Sequence, residues 1–212
     1  MNFGTKVTLI ERTYSILKKN KFKKIIIVTG YKDKEIKKKL KNKVEYRYFK
    51  NYKKSNNLQT LLSIKKELNK EIYCFFSDLI FHEKILQKLE KKRGNFCMVI
   101  DTSKSLKNTM RVNIKKNKVL DIGNHIKPRL ANGNFIGIAK FSKNGSILLK
   151  NYLIDEKENY KDYYTKAIQN IIEKGLNVNY VDNKGLFWKE IDTKGDYNHL
   201  KMMIKKRKFI YA

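Results

Sequence analysis

The chain has 212 residues, 41% of them hydrophobic, with two cysteines and a formal net charge of +29 at pH 7. That length suits one domain with a buried core, and no apolar run approaches the roughly 18 residues a membrane-spanning helix needs. The opening Met-Asn-Phe-Gly-Thr-Lys-Val-Thr lacks the charged-then-apolar layout of a secretory leader, so the expectation is a cytoplasmic protein with no membrane partner.

Helix and strand patterns alternate along the first half. Leu9–Lys19 reads as a helix with Ile10, Tyr14 and Leu17 on one side. Residues 24–29 contain Ile-Ile-Ile-Val and end at Gly30, as suits a strand buried on both faces. A short basic helix over 34–40 and a strand over 44–49 follow. Residues 57–68 read as a helix, 72–76 as a buried strand ending at Ser77-Asp78, and 83–91 as a helix. Four strands with short connections come next, over 96–100, 110–114, 118–122 and 135–141. The loop 124–134 holds the only proline, Pro128. Helices at 145–152 and 160–173, strands at 178–181 and 186–191 and a helix at 197–205 complete the chain. The basic tail Lys205-Lys206-Arg207-Lys208 reads as a solvated end. Alternating β and α elements followed by β-rich insertions argue for a three-layer α/β fold.

Three features carry less chemistry than they suggest. Cys74 and Cys97 lie inside apolar runs without metal spacing and read as reduced, buried thiols. His82, His125 and His199 are scattered and read as surface or helix-end residues. Only 6 of the 49 basic residues are Arg, whereas phosphate-gripping sites favour the guanidinium fork. The charge is therefore read as solvated surface that attracts anions over long range, with no specific nucleic-acid partner.

The acidic residues are more pointed. Glu190 and Asp192 stand at i and i+2 on an expected strand, on one face. Asp78 follows a strand end, where α/β sheets place ligands. Carboxylates so placed are natural ligands for Mg²⁺. Asp78 also fits a helix N-cap, and Asp196 is better read as a first-turn carboxylate of the last helix than as a ligand.

Seven segments, in order, resemble the nucleotidyltransferases that join a nucleoside triphosphate to a phosphorylated alcohol, above all the phosphocholine and phosphonate cytidylyltransferases. They are Thr8-Leu9-Ile10-Glu11-Arg12, Val28-Thr29-Gly30-Tyr31, Ser55-Asn56-Asn57-Leu58-Gln59-Thr60-Leu61, Ser77-Asp78, Met110-Arg111-Val112, Gly133-Asn134-Phe135-Ile136-Gly137-Ile138 and Trp188-Lys189-Glu190-Ile191-Asp192. The resemblance implies a single α/β domain over residues 1–212, of three-layer Rossmann-like type with a mixed, mainly parallel sheet. It implies transfer of CMP from CTP to an acceptor such as phosphocholine, with release of pyrophosphate, in cell-surface glycan or phospholipid head-group decoration. Asp78 and Asp192 would hold Mg²⁺, with Glu190 assisting as a third catalytic carboxylate. Gly30, Ser55, Asn56 and Asn57 would lie at the nucleotide, and Asp162, Tyr163 and Glu190 at the acceptor. A homodimer stays open.

The family begins with a buried strand and a glycine-rich loop whose amides cradle the triphosphate. Before Thr8 this sequence offers only the lone glycine Gly4. The expectation is an N-terminally truncated domain lacking that first strand and loop, with the strand over 24–29 left with an open edge and with little turnover. A non-catalytic remnant with weak nucleotide binding is the alternative, and a basic nucleic-acid-binding protein the third reading.

Overall fold

The computed structural model describes residues 7–103 and 109–205. Gly4 and Lys206-Arg207-Lys208 lie outside them. Helix α1 (Leu9–Lys19) begins with a capping box: the Glu11 N–H donates to Thr8 Oγ1 at 3.4 Å, and the Thr8 N–H donates to Glu11 Oε2 at 2.8 Å. Two otherwise orphaned donors are thus satisfied. Strands β1 (Ile26–Thr29) and β2 (Glu45–Tyr48), joined through α2 (Asp33–Leu40), form a parallel pair. Among the described residues, β1 pairs with β2 alone. Lys24 and Arg47 both reach Glu67, which tethers this pair to the turn before the next strand.

The main sheet comprises β3 (Ile72–Phe75), β5 (Phe96–Asp101), β6 (Met110–Lys115), β7 (Lys118–Gly123), β8 (Gly133–Phe141) and β9 (Val178–Asp182), ordered β3-β8-β5-β9-β7-β6. Strand β8 is antiparallel to β3, β5 and β6, while β5 and β9 are parallel. Thus β3, β5, β6 and β9 point one way and only β7 and β8 the other. The sheet is mixed and mainly parallel in strand direction, as expected. Most of its ladders are nevertheless antiparallel, because β7 and β8 lie between like-directed strands. The additional β6–β8 pairing closes β8, β5, β9, β7 and β6 into a ring of pairings.

The three layers follow from side-chain alternation. Along β5, Phe96, Met98 and Ile100 enter one core, while Cys97 and Val99 enter the other. The first core is covered by α3 (Asn57–Leu62), α5 (Lys143–Asp155) and α6 (Thr165–Glu173) through Leu58, Leu149 and Ile168. The second is covered by α1 and α4 (Lys84–Lys91) through Ile16, Leu17, Ile85 and Leu89. A third, small cluster joins Leu9, Ile80, Ile191 and Leu200. It packs together α1, the short strands β4 (Leu79–Phe81) and β10 (Trp188–Glu190), and α7 (Lys194–Lys205). Among the described residues no helix is long and apolar enough to cross a membrane. Both cysteines are free, and Cys97 is buried.

Several element boundaries differ from the sequence reading. The helix expected over 57–68 stops at Leu62, where Ser63 Oγ donates to the Thr60 carbonyl and competes with helical pairing. A 3₁₀ turn at Lys65–Glu67 follows and lets Leu68 bury completely. The helix expected over 160–173 begins only at Thr165, because the backbone before it bonds to α3 instead. Strand β4 was not foreseen, and the last helix starts at Lys194 rather than residue 197.

Gly137 interrupts β8 with φ of +81°, and a Cβ there would stand 2.6 Å from the Phe76 ring. Left-handed backbone and core overpacking each cost on the order of 1–3 kcal/mol. Gly175, at φ of +77°, has nothing within 4 Å of the same position. Gly137→Ala is expected to lower the thermal midpoint by roughly 6–12 °C. Gly175→Ala should lower it by no more than about 4 °C, and calorimetry of the two variants checks the difference.

Candidate active site

The site is built by a short antiparallel ladder. Strand β10 pairs with β4 in the register Glu190↔Leu79, Lys189↔Ile80 and Trp188↔Phe81. One step further, the Ile191 N–H donates to the Asp78 carbonyl at 3.0 Å. The apolar side chains of the ladder anchor it, since Ile80 and Ile191 are buried in the third cluster. Asp78, Glu190 and Asp192 are thereby gathered although 112 residues separate the first two in sequence. Asp78 precedes a strand, so its reading as a helix N-cap does not hold.

The electrostatics of this group are those of carboxylates short of counter-charge. Burial pushes the Asp78 carboxyl up, and the nearby Asp192 adds to the shift. Glu190 is pushed up to about 7, mainly by burial and then by the charges of Asp78 and Asp192. Asp78 Oδ1 is buried without a hydrogen-bond partner. A buried, unsatisfied carboxylate oxygen is costly unless something cationic meets it. Hard oxygen donors of this kind fit Mg²⁺. Among the described residues no three His, Cys, Asp or Glu side chains converge as a metal cluster.

Neighbouring residues are turned to other uses. Lys189 points away from Glu190 and pairs with Asp196 at 3.0 Å. Asp196 also accepts from the Thr193 N–H at 3.0 Å and donates its own N–H to Thr193 Oγ1 at 3.1 Å, so it is a first-turn carboxylate of α7, as expected. The Trp188 indole N–H donates to Asp101 Oδ2 at 2.7 Å. This bond ties β10 to the end of β5. A carboxylate directly after a run of strand-forming apolar residues was its only sequence signal.

A model of the nucleotidyl transferase family matches residues 1–207. The chain belongs to that family. No curated protein sequence matches it. Among solved structures, it resembles the inositol-1-phosphate CTP transferase from T. maritima at 16% identity and a TM-score of 0.76, over 96% of this chain and 85% of the other. It also resembles the CTP:phosphocholine cytidylyltransferase from Streptococcus pneumoniae at 21% identity and a TM-score of 0.72, over 92% and 85%. A UDP-glucose pyrophosphorylase complexed with UDP-glucose matches at 14% identity and a TM-score of 0.70, over 94% and 87%. These likenesses show a Rossmann-like nucleotidyl transferase fold.

The other residues expected in this nucleotidyl transferase's site fall into two places. Gly30 lies at the end of β1 and lines an open groove with Lys32, Asp33, Lys34, Glu35 and Tyr48. A Cβ there would meet the Tyr52 ring at 2.5 Å, so close packing already requires glycine. Ser55, Asn56 and Asn57 instead adjoin the loop that carries Asp162 and Tyr163. Ser55 Oγ donates to the Asn51 carbonyl at 2.9 Å. Asn56 caps α3 by accepting from the Asn57 N–H at 2.8 Å. Tyr163 is 38% exposed, whereas Tyr164 is buried.

The Glu190 shift has a consequence for stability. In the unfolded chain this carboxyl ionises near its ordinary 4.5, and in the folded chain near 7. Between those values the folded state binds more protons, so stability falls as pH rises through that window and stays lowered above it. Glu190→Gln is expected to raise the thermal midpoint at about pH 8 by roughly 3 °C, after allowance for solvent screening, and to change it little at about pH 4. Midpoints of both proteins across that range check this.

Proposed function

We propose that this nucleotidyl transferase moves CMP from CTP onto a phosphorylated small-molecule acceptor such as phosphocholine. The observation that carries the reading is the meeting of Asp78 and Asp192 across the β4–β10 ladder, with a buried Asp78 oxygen left unpartnered. Two structural neighbours are described as CTP-using transferases, which supports the choice of base and of a small phosphorylated acceptor. The reaction fits the cytoplasm, where CTP is made.

In this reaction an acceptor phosphate oxygen attacks the α-phosphorus of CTP, a new phosphoanhydride forms, and the bond to pyrophosphate breaks. Two anions must meet, so positioning and charge neutralisation dominate the barrier. Asp78 and Asp192 would hold Mg²⁺, which when bound neutralises phosphate charge. Ile191, buried between Glu190 and Asp192, keeps the carboxylates from moving apart. In this reading Glu190, Asp162 and the exposed face of Tyr163 would supply the acidic and aromatic groups a quaternary ammonium favours. The many surface lysines draw both anionic substrates toward the molecule.

The second reading is nucleotide binding with little turnover. The purified chain, given CTP, Mg²⁺ and phosphocholine, is expected to release pyrophosphate above background in a coupled assay. Asp78→Asn and Asp192→Asn should each lower that rate by roughly 100-fold or more. CTP binding by calorimetry without pyrophosphate release would establish the second reading instead.

A further inference from the structure

Four consecutive residues at the start of α3 reach across about a hundred positions of sequence to one loop. The Asn56 N–H donates to the Tyr160 carbonyl at 2.7 Å and the Leu58 N–H to the Asp162 carbonyl at 3.3 Å. Asn56 Nδ2 donates to the Lys161 carbonyl at 3.3 Å, and Gln59 Nε2 to the Lys157 carbonyl at 2.6 Å. In the opposite sense, the Tyr164 N–H donates to Asn57 Oδ1 at 2.8 Å. The first-turn donors of a helix ordinarily go to a cap or to water. Here the Asn57 N–H does go to the Asn56 cap, but the Asn56 and Leu58 N–H groups go to the backbone of segment 157–164.

We propose that Asn56, Asn57 and Gln59 form a latch that sets the position of segment 157–164, with Asn57 as its decisive positioning residue. The chain must reverse its exposure at one step: Tyr163 is 38% exposed, while Tyr164 is 3% exposed. The Tyr164 ring packs edge-on against Phe76, Phe135 and Phe141. The Asn57 bond is made at that step, on the amide joining the outward tyrosine to the inward one. It therefore fixes which way Tyr163 and the adjacent Asp162 are presented. Gln59 is itself 8% exposed, so its bond to Lys157 is shielded from competing water. In this role Asn57 uses its amide oxygen and has no need of its amide N–H₂.

The effect on ligands rests on the reading of Asp162 and Tyr163 as acceptor-binding residues, and the effect on the loop does not. Asn57→Ala removes the acceptor atom, whereas Asn57→Asp keeps an oxygen for the Tyr164 N–H. Amide hydrogen exchange and titration calorimetry with CTP and with phosphocholine are measured on both variants and the parent. Asn57→Ala is expected to speed exchange at Tyr164 roughly tenfold and to weaken phosphocholine binding roughly tenfold, with CTP affinity held within about twofold. Asn57→Asp should match the parent in all three. Unchanged exchange in Asn57→Ala, or weaker CTP binding in Asn57→Asp, would overturn the latch. If the parent binds no phosphocholine, the acceptor reading fails and the exchange data alone decide the latch. If Asn57→Ala does not fold, the parent's slow exchange at Tyr164 against fast exchange at Tyr163, together with Asn57→Asp, decides it.

Discussion

The pairing of β10 with β4 is the constraint on which the grouping of carboxylates depends. Three carboxylates do not gather by themselves in a medium of low dielectric. They are brought together because Ile191, between Glu190 and Asp192, and Ile80, two residues after Asp78, bury beside Leu9 and Leu200. The ladder is only three residues long, so its hydrogen bonds alone would not hold against that repulsion. Apolar burial supplies the difference, at roughly 1.5–3 kcal/mol for each fully buried aliphatic side chain. The charge strain and the packing that opposes it are thus carried by adjacent residues at the end of β10 and just beyond it.

Away from this ladder the fold is organised by a division of labour within single strands. Strands β5 and β8 feed both cores alternately, and the wide aromatic side chains, Phe96, Phe135 and Phe141, all fall on the side of α5 and α6. The narrower Cys97, Val99, Ile136 and Ile138 face α1 and α4. One face is therefore deep and the other shallow. Gly137 stands where the deep face must admit Phe76, which explains a glycine in the middle of an otherwise continuous apolar strand.

The buried strand Phe96 to Ile100 was legible because such a run admits few other readings, whereas β1 and β3, also read as buried, are mostly half-buried. The paired carboxylates Glu190 and Asp192 were legible from spacing alone, and their approach to Asp78 from the position of each at a strand end. The strand β4 was not legible, since Leu79-Ile80-Phe81 is too short to show a period and acquires its partner from the far end of the chain. The start of α6 was misplaced for a related reason. Residues 160–164 have no local feature that forbids helix, and their carbonyls are claimed by α3 from a distance. Asn56 and Asn57 look like capping residues in sequence, and Asn56 is one. That Asn57 bonds a distant backbone amide depends on tertiary structure that no local pattern encodes.

The bond from Trp188 to Asp101 has an optical consequence. Trp188 is the chain's only tryptophan, it lies two residues from Glu190, and its indole N–H is held by a carboxylate at 2.7 Å. An indole emits according to the charges and dipoles around it, and here every photon of tryptophan emission originates beside the acidic group. The native protein thus carries an intrinsic fluorophore beside these carboxylates, with no second indole to blur the signal.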